Sequence, residues 1–187
     1  MSFLTRSLSA LTALTIGLGG VALPAKAYET GSHEDHVELW NTVREAGVAT
    51  YINPEECFEG DLAGVDGFYI SGYGVLVVCQ DNATTPGEVV HWTANDYDTL
   101  RHEVVHLIQD CKDGRGDGSL IPILGLDELS EFAVQVLGRE AISAIIQTYS
   151  ERGADRDTII FEIEAFAMAR AIPASTISEG VKTYCGV

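Results

Sequence analysis

Hydrophobic residues recur at helical spacing in five segments of the chain. Between residues 34 and 46, His36, Leu39, Trp40 and Val43 fall on one helical face, and Gly47 is a typical helix stop. A longer helix begins after the capping residues Thr93, Asn95 and Asp96 and runs to about residue 110. Three more helices are predicted at residues 126–137, 139–149 and 157–171, and Pro173 ends the last of them.

Short runs that are rich in β-branched and aromatic residues predict four strands. They cover residues 48–52, 68–70, 75–79 and 88–92, and the second and third flank Ser71-Gly72-Tyr73-Gly74, a sequence typical of a hairpin turn. All four precede the long helix that begins near residue 93. This order predicts an α+β fold, in which a small mixed sheet packs on that helix and the C-terminal half is helical.

The N-terminus has the pattern of an export signal. Arg6 lies in a short basic start, an apolar run covers residues 8–23, and Ala25-Lys26-Ala27 fits a small-x-small cleavage site before Tyr28. We therefore predict a signal peptide at residues 1–27, a single domain at residues 28–187, and a secreted or periplasmic location. No other stretch approaches the roughly 18 apolar residues that a transmembrane helix requires, so the mature chain is expected to have no membrane span.

The mature chain is strongly acidic. The full sequence has 11 basic and 28 acidic residues, which gives a formal charge of −17, and loss of Arg6 and Lys26 with the signal peptide changes it to −19. A surface of this charge repels nucleic acid and anionic lipid headgroups. Neither is therefore expected as a partner.

All four cysteines, Cys57, Cys79, Cys111 and Cys185, lie in the part predicted to be exported. An even number in an oxidising compartment indicates two disulfides, and the sequence allows three pairings. We favour Cys57 with Cys79, which brackets the hairpin, and Cys111 with Cys185, which joins the end of the chain to the long helix. A cysteine zinc site is disfavoured because no C-x-x-C pair occurs.

Residues 110–119 are rich in glycine and aspartate and predict a turn after the long helix. Asp113, Asp117 and nearby carbonyl groups offer oxygen ligands for calcium. The loop lacks the spacing and the terminal glutamate of an EF-hand, so calcium is the weaker interpretation of this segment.

The long helix contains the sequence His102-Glu103-Val104-Val105-His106. Residues four apart are neighbours on a helix, so both imidazoles can bind one Zn²⁺. Glu103 is rotated away from that line but lies beside the open coordination position, where a carboxylate can take a proton from water that the metal activates. Apolar residues surround the motif, which indicates a buried helix rather than a surface helix with two solvated histidines.

A catalytic zinc site needs a third protein ligand. A glycine three residues and a histidine six residues after His106 would give the metzincin pattern, but those positions are Gln109 and Lys112. The other histidines lie upstream in polar or strand-like segments, so we expect a carboxylate from a later helix. These histidines are His33, His36 and His91, and the candidate carboxylates are Glu128, Glu131, Glu162 and Glu164.

Two of the four carboxylates, Glu162 and Glu164, interrupt an otherwise apolar segment at residues 158–169. A helix that is apolar on every face is buried, and a buried carboxylate is costly unless it is paired or binds a metal. Glu128 and Glu131 lie near the start of helix 126–137, where acidic residues interact favourably with the helix dipole and remain solvated. The third ligand is therefore expected at position 162 or 164.

Together with Glu162-Ile163-Glu164-Ala165, the motif helix resembles the gluzincin branch of the zincin metallopeptidases. Several families of that branch supply the third ligand from the first glutamate of a downstream E-x-x-A helix. The resemblance covers these two helices only. It implies a zincin-like fold with His102, His106 and Glu162 as zinc ligands and Glu103 as general base. Glu164 points to a different face of its helix, and we expect it to be a structural carboxylate paired with an arginine such as Arg170. The chain departs from one common version at Phe166, where an aspartate often follows the alanine.

The expected function is that of an exported zinc endopeptidase acting on a peptide or protein substrate. Glu103 would activate water and pass the proton to the leaving amine, while a further donor stabilises the oxyanion. The candidate donors are Tyr97, Tyr149, His91 and Arg170. The alternative is a non-catalytic exported zinc-binding or interaction domain on the same scaffold, although a pure zinc binder has no need of Glu103. A peptidoglycan substrate is a third possibility, but no wall-binding module is visible.

Overall fold

The computed structural model describes residues 12–15 and 30–187, and these ranges contain four strands and six α-helices. The strands are β1 (Thr12–Thr15), β2 (Ala49–Ile52), β3 (Gly67–Ile70) and β4 (Val75–Val78). The helices are α1 (His33–Glu45), α2 (Ala94–Asp113), α3 (Leu126–Val136), α4 (Gly138–Glu151), α5 (Arg156–Ala171) and α6 (Ala174–Cys185). The predicted mixed α+β class is confirmed.

The four strands form one small mixed sheet in the order β1-β3-β4-β2. β3 and β4 form the predicted hairpin, with Gly67 opposite Val78. β2 is parallel to β4, whereas β1 is antiparallel to β3. β1 falls within the predicted signal peptide, and the rest of that prediction, including the cleavage site, lies outside the described residues.

Helix α2 packs against β3 and β4 and also against α5 and α6. Its start is fixed by a capping box between Thr93 and Asp96, in which each side chain bonds the other residue's backbone N–H. It continues three residues beyond the predicted end, because Gly114 is the first residue in the left-handed conformation that closes a helix (φ 107°). Leu100, Val104 and Leu107 of α2 are fully buried in the core that joins the sheet to the helices.

A second apolar core lies among α3, α4 and α5, with Ile145 and Ala167 completely buried. Helix α5 is therefore enclosed by α2 on one side and by α3 and α4 elsewhere, as its almost uniformly apolar sequence predicted. Both favoured disulfides are confirmed: Cys57 is bonded to Cys79, and Cys111 to Cys185. The second bond joins the end of α2 to the end of α6.

The prediction of a strand at residues 88–92 was wrong. The buried amide side chains of Asn53 and Gln80 bind this segment and replace a strand partner. Asn53 donates to the carbonyl of Glu88, and Gln80 both donates to the carbonyl of Val90 and accepts from its N–H. The backbone polar groups are satisfied without a ladder, so the segment remains irregular.

Helix α6 was not predicted. Pro173 was interpreted only as the end of α5, but it also occupies the N-cap position of α6. Ile177 and Val181, four residues apart, place an apolar face of α6 in the core. At Gly180 the helix lies so close to α2 that an added Cβ would be 2.9 Å from Ile108 Cδ1. Among the described residues, no helix has the length and hydrophobicity needed to cross a membrane.

Candidate metal centre

Helices α2 and α5 bring three predicted ligands together in the interior. Nε2 of His102 lies 3.2 Å from Oε2 of Glu162, and Nε2 of His106 lies 3.5 Å from Oε1 of the same carboxylate. The two Nε2 atoms are 3.0 Å apart. All three residues are at most 1% exposed. Within the described part of the chain, this is the one cluster of three or more His, Cys, Asp or Glu side chains that is compact enough to hold a metal ion.

The separations of these four atoms, two imidazole nitrogens and both oxygens of one carboxylate, suit a zinc ion. Nitrogen and oxygen ligands at about 2.0–2.2 Å from a tetrahedral zinc lie about 3.3–3.6 Å from one another. The three observed distances of 3.0, 3.2 and 3.5 Å are close to that range. Two imidazoles and one carboxylate are also a ligand set that zinc enzymes use. The residues present therefore fit the metal that the sequence predicted.

Electrostatics favour the protonation states that metal ligands need. Burial raises the pKa of Glu162, but the electrostatic influence of the adjacent His106 and His102 outweighs this effect and lowers the pKa to about 2. Burial lowers the pKa of His102, more than Glu162 raises it. An ionised Glu162 and a neutral His102 are the forms that bind a cation.

Glu103 is completely buried on the side of α2 that meets β3. A Cβ added at Gly67 would lie 3.5 Å from Cγ of Glu103 and only 2.6 Å from Cγ2 of Thr99. The absence of a side chain at Gly67 thus allows the first residue of β3 to lie directly against the predicted base. No local sequence pattern indicates this role for Gly67.

The two histidines have different surroundings beyond the ligand atoms. Nδ1 of His106 lies 2.8 Å from Oε1 of Gln109, which stands one helical turn later on the same face of α2. His102 instead packs its ring edge-to-face against Phe166 at 4.4 Å. Phe166 occupies the position where an aspartate often follows the E-x-x-A alanine, so an aromatic contact stands in place of a polar partner on that side.

Glu164 lies near the centre but is bound by other groups. Its carboxylate accepts hydrogen bonds from Nε2 of Gln109 and from the backbone N–H groups of Ile123 and Leu124 at 2.7–2.8 Å. It is not a member of the metal-capable cluster. The choice of Glu162 over Glu164 as the residue that faces the histidines agrees with this geometry.

The remaining candidates for the third ligand and for the oxyanion donor are not members of this cluster. Glu128 and Glu131 are exposed on α3. Tyr97 contacts His33 and His36, and His91 is exposed in the segment before α2. The ring of Tyr149, a further oxyanion candidate, packs on Phe166 with 6.5 Å between the ring centroids.

In the turn that was considered for calcium, the hydroxyl of Ser119 lies within hydrogen-bond distance of the carboxylates of Asp113 and Asp117.

Sequence reasoning missed Gln109, which it considered only as a departure from another zinc motif. Its spacing of three residues from His106 is the signal that would have identified it, because residues three apart share a helix face. No sequence spacing pairs Gln109 with Glu164, since that contact depends on how α2 and α5 pack.

Comparison with known proteins adds a family to this geometry. No curated protein and no solved structure matches the chain. One family model, described as a domain of unknown function (DUF8637), matches residues 8–185. That match covers nearly all of the sequence, and the chain therefore belongs to the DUF8637 family.

Proposed function

We propose that this protein is an exported zinc-dependent endopeptidase with a zincin-like fold. The observation that carries the proposal is the convergence in the interior of two Nε2 atoms of α2, the helix that also holds Glu103, with one carboxylate of α5. The two disulfides are compatible with an exported protein. The resemblance to zincins supplies the reaction class, and the geometry supports the ligand set.

The number of ligands favours a catalytic over a structural zinc site. Structural sites are closed by four protein ligands, whereas catalytic sites use three and leave one position for water or substrate. The cluster of His102, His106 and Glu162 has three members in the described residues. A zinc ion bound there would polarise the scissile carbonyl and lower the pKa of a water molecule towards about 7.

The chain's own residues would then carry the proton transfers. Glu103 follows His102 directly in the sequence and therefore projects from α2 on a different line of the helix from the two histidines. We assign it the role of general base, which accepts a proton from the attacking water and donates it to the leaving amine. Its burial would exclude bulk water from that proton path.

The edge of β3 offers a place for an extended substrate. β1 pairs with this edge in antiparallel register, and Thr15 lies opposite Gly67, next to Glu103. Residues 12–15 belong to the predicted signal peptide, so processing after Ala27 would open the edge. An extended peptide could then add to β3 by main-chain hydrogen bonds, a common mode of peptide recognition.

Burial of the ligands supports one alternative. His102, His106 and Glu162 are almost completely inaccessible, which is also a property of a zinc ion that only stabilises a fold. Under this alternative the protein is a non-catalytic exported zinc-binding or interaction domain, and Glu103 has no chemical role.

Replacement of Glu103 by glutamine distinguishes the two functions. The mature wild type, Glu103→Gln and the exposed control Glu140→Gln would be compared for zinc content and for cleavage of a mixed peptide library, with and without chelator. The endopeptidase account predicts about one zinc per chain in all three. It also predicts chelator-sensitive cleavage that falls by about 10²–10⁴-fold only in Glu103→Gln. Zinc without cleavage in the wild type would favour the binding-domain alternative.

A further inference from the structure

We infer that Gln109 and Glu164 act as a positioning pair, which holds His106 in the tautomer that directs a bare Nε2 lone pair at the metal site. This inference rests on the proposed zinc site and adds two residues to it. Both side chains are completely buried, and neither is a predicted ligand. They connect His106 to α5 and to the segment between α2 and α3.

The orientation of the Gln109 amide is fixed by its acceptors. Nε2 of Gln109 donates to Oε2 of Glu164 at 2.8 Å and to the carbonyl oxygen of Phe161 at 3.2 Å. Neither acceptor has a proton to offer, so a flipped amide would place its oxygen against two other oxygens. The NH₂ group must therefore face Glu164 and Phe161, and Oε1 must face His106.

The orientation of the amide in turn selects the His106 tautomer. An amide oxygen only accepts hydrogen bonds, so the contact of 2.8 Å between Oε1 of Gln109 and Nδ1 of His106 requires a proton on Nδ1. In the neutral ring, Nε2 then carries a lone pair. That lone pair faces Nε2 of His102 and the carboxylate of Glu162, the group we assign to zinc.

Glu164 prevents the amide from turning. Its two oxygens accept three N–H groups, from Gln109, Ile123 and Leu124, and these bonds hold the carboxylate in place. Two of these donors are backbone groups of the segment that precedes α3, which fixes the carboxylate between separate elements of the fold. Partners of this kind orient metal-binding histidines, and their loss typically costs about 10–100-fold in metal affinity.

The primary test uses Gln109→Leu, which removes the acceptor at similar side-chain volume. Zinc affinity would be measured by competition with a chromophoric chelator, and the His106 tautomer by ¹⁵N chemical shifts in metal-free protein. We expect affinity to fall by about 10–100-fold and the His106 ring to populate both tautomers. Gln80→Leu is the matched control, because Gln80 is also a buried amide with three hydrogen bonds but contacts residues outside the site. It should lower stability and leave both readouts unchanged.

Two further variants keep the inference testable if Gln109→Leu does not fold. Glu164→Gln cannot accept three N–H groups and should give a smaller loss of zinc affinity than Gln109→Leu. The double swap of Gln109→Glu with Glu164→Gln keeps an acceptor on Nδ1 of His106, so it should retain the Nδ1–H tautomer.

A wild-type ring without the Nδ1 proton would overturn the inference. So would an unchanged tautomer and zinc affinity in folded Gln109→Leu or Glu164→Gln. The tautomer is read in metal-free protein, so this result is independent of whether the site binds zinc. A wild type that has the Nδ1–H tautomer but binds no zinc would refute the proposed function and leave the positioning pair intact.

Discussion

Helix α2 contributes to two buried groups that contain histidine, and only one of them has the arrangement of a metal site. In the first group, His36 of α1 lies against Arg101 and Tyr97 of α2 and is 3% exposed. Its Nδ1 lies 2.6 Å from the carbonyl oxygen of Ser32, and its Nε2 contacts Nη1 of Arg101. One ring nitrogen donates to a carbonyl and the other accepts from a guanidinium, so the neutral ring is fully satisfied.

In the second group, the ring nitrogens converge on one another. Nε2 of His102 and Nε2 of His106 are 3.0 Å apart and share the carboxylate of Glu162. Gln109 holds the proton of His106 on the opposite nitrogen. The Nε2 lone pair of His106 and the negative charge of Glu162 thus face one small space, which a cation would stabilise. The comparison teaches that burial does not distinguish a ligand histidine from a structural one, whereas the partner of each ring nitrogen does.

The largest expected effect separates the two groups by metal content. His102→Ala and His106→Ala should each reduce zinc from about one ion per chain to none, because two remaining ligands bind zinc weakly. His36→Ala should keep stoichiometric zinc, since both ring nitrogens of His36 bind protein groups. Elemental analysis of the purified mature proteins measures this. Stoichiometric zinc in His106→Ala, or its loss in a folded His36→Ala, would contradict the comparison.

A smaller difference is expected between the two glutamates of α5. Glu162→Ala removes a predicted ligand and should weaken zinc binding by at least about 100-fold. Glu164→Ala removes only the hydrogen-bond partner of Gln109 and should weaken zinc binding by about tenfold. Chelator competition on both variants gives the ratio. Equal affinities, or a greater loss in Glu164→Ala, would reassign the third ligand.

The smallest expected effect is the pH dependence of stability at His36. Burial lowers the pKa of His36 below its ordinary value, more than its contact with Ser32 raises it, and the charge of Arg101 lowers it further. The unfolded chain therefore binds the proton more strongly. The stability that the neutral ring provides is complete above about pH 6.5 and is lost as the pH falls below that value.

His36→Gln isolates this effect, because an amide can still donate to Ser32 and accept from Arg101 but does not titrate. In metal-free protein, acidification from pH 7.5 to 5.5 should lower Tm by a few degrees more in the wild type than in His36→Gln. Thermal melts followed by circular dichroism at both pH values provide the comparison. Identical shifts in the two proteins would show that His36 does not carry the acid sensitivity.

Local signals were sufficient for most of the elements and for the residues of the centre. The spacing of His102 and His106 lies within one helix, and the burial of Glu162 follows from the apolar residues around it on α5. The hairpin and the Cys57–Cys79 disulfide that brackets it also follow from patterns that are close in sequence. Such features depend on hydrophobic periodicity and on the burial that it indicates, and this pattern can be read directly from the sequence.

The features that were missed depend on contacts between distant segments. The backbone of residues 88–92 is satisfied by Asn53 and Gln80, so a strand-like composition did not lead to a strand. The pairing of Gln109 with Glu164 requires the packing of α2 on α5. The proximity of Gly67 to Glu103 requires the sheet to lie on α2. None of these contacts is encoded by spacing within a single element.

The most direct test of the account is X-ray absorption at the zinc edge of the mature protein, purified without added metal. The account predicts one zinc per chain with two imidazole ligands and oxygen donors at about 2.0–2.2 Å, and with one imidazole fewer in any zinc retained by His106→Ala. A protein without zinc, or a zinc shell that contains sulfur or lacks imidazole, would contradict the assignment of His102, His106 and Glu162 as the metal centre.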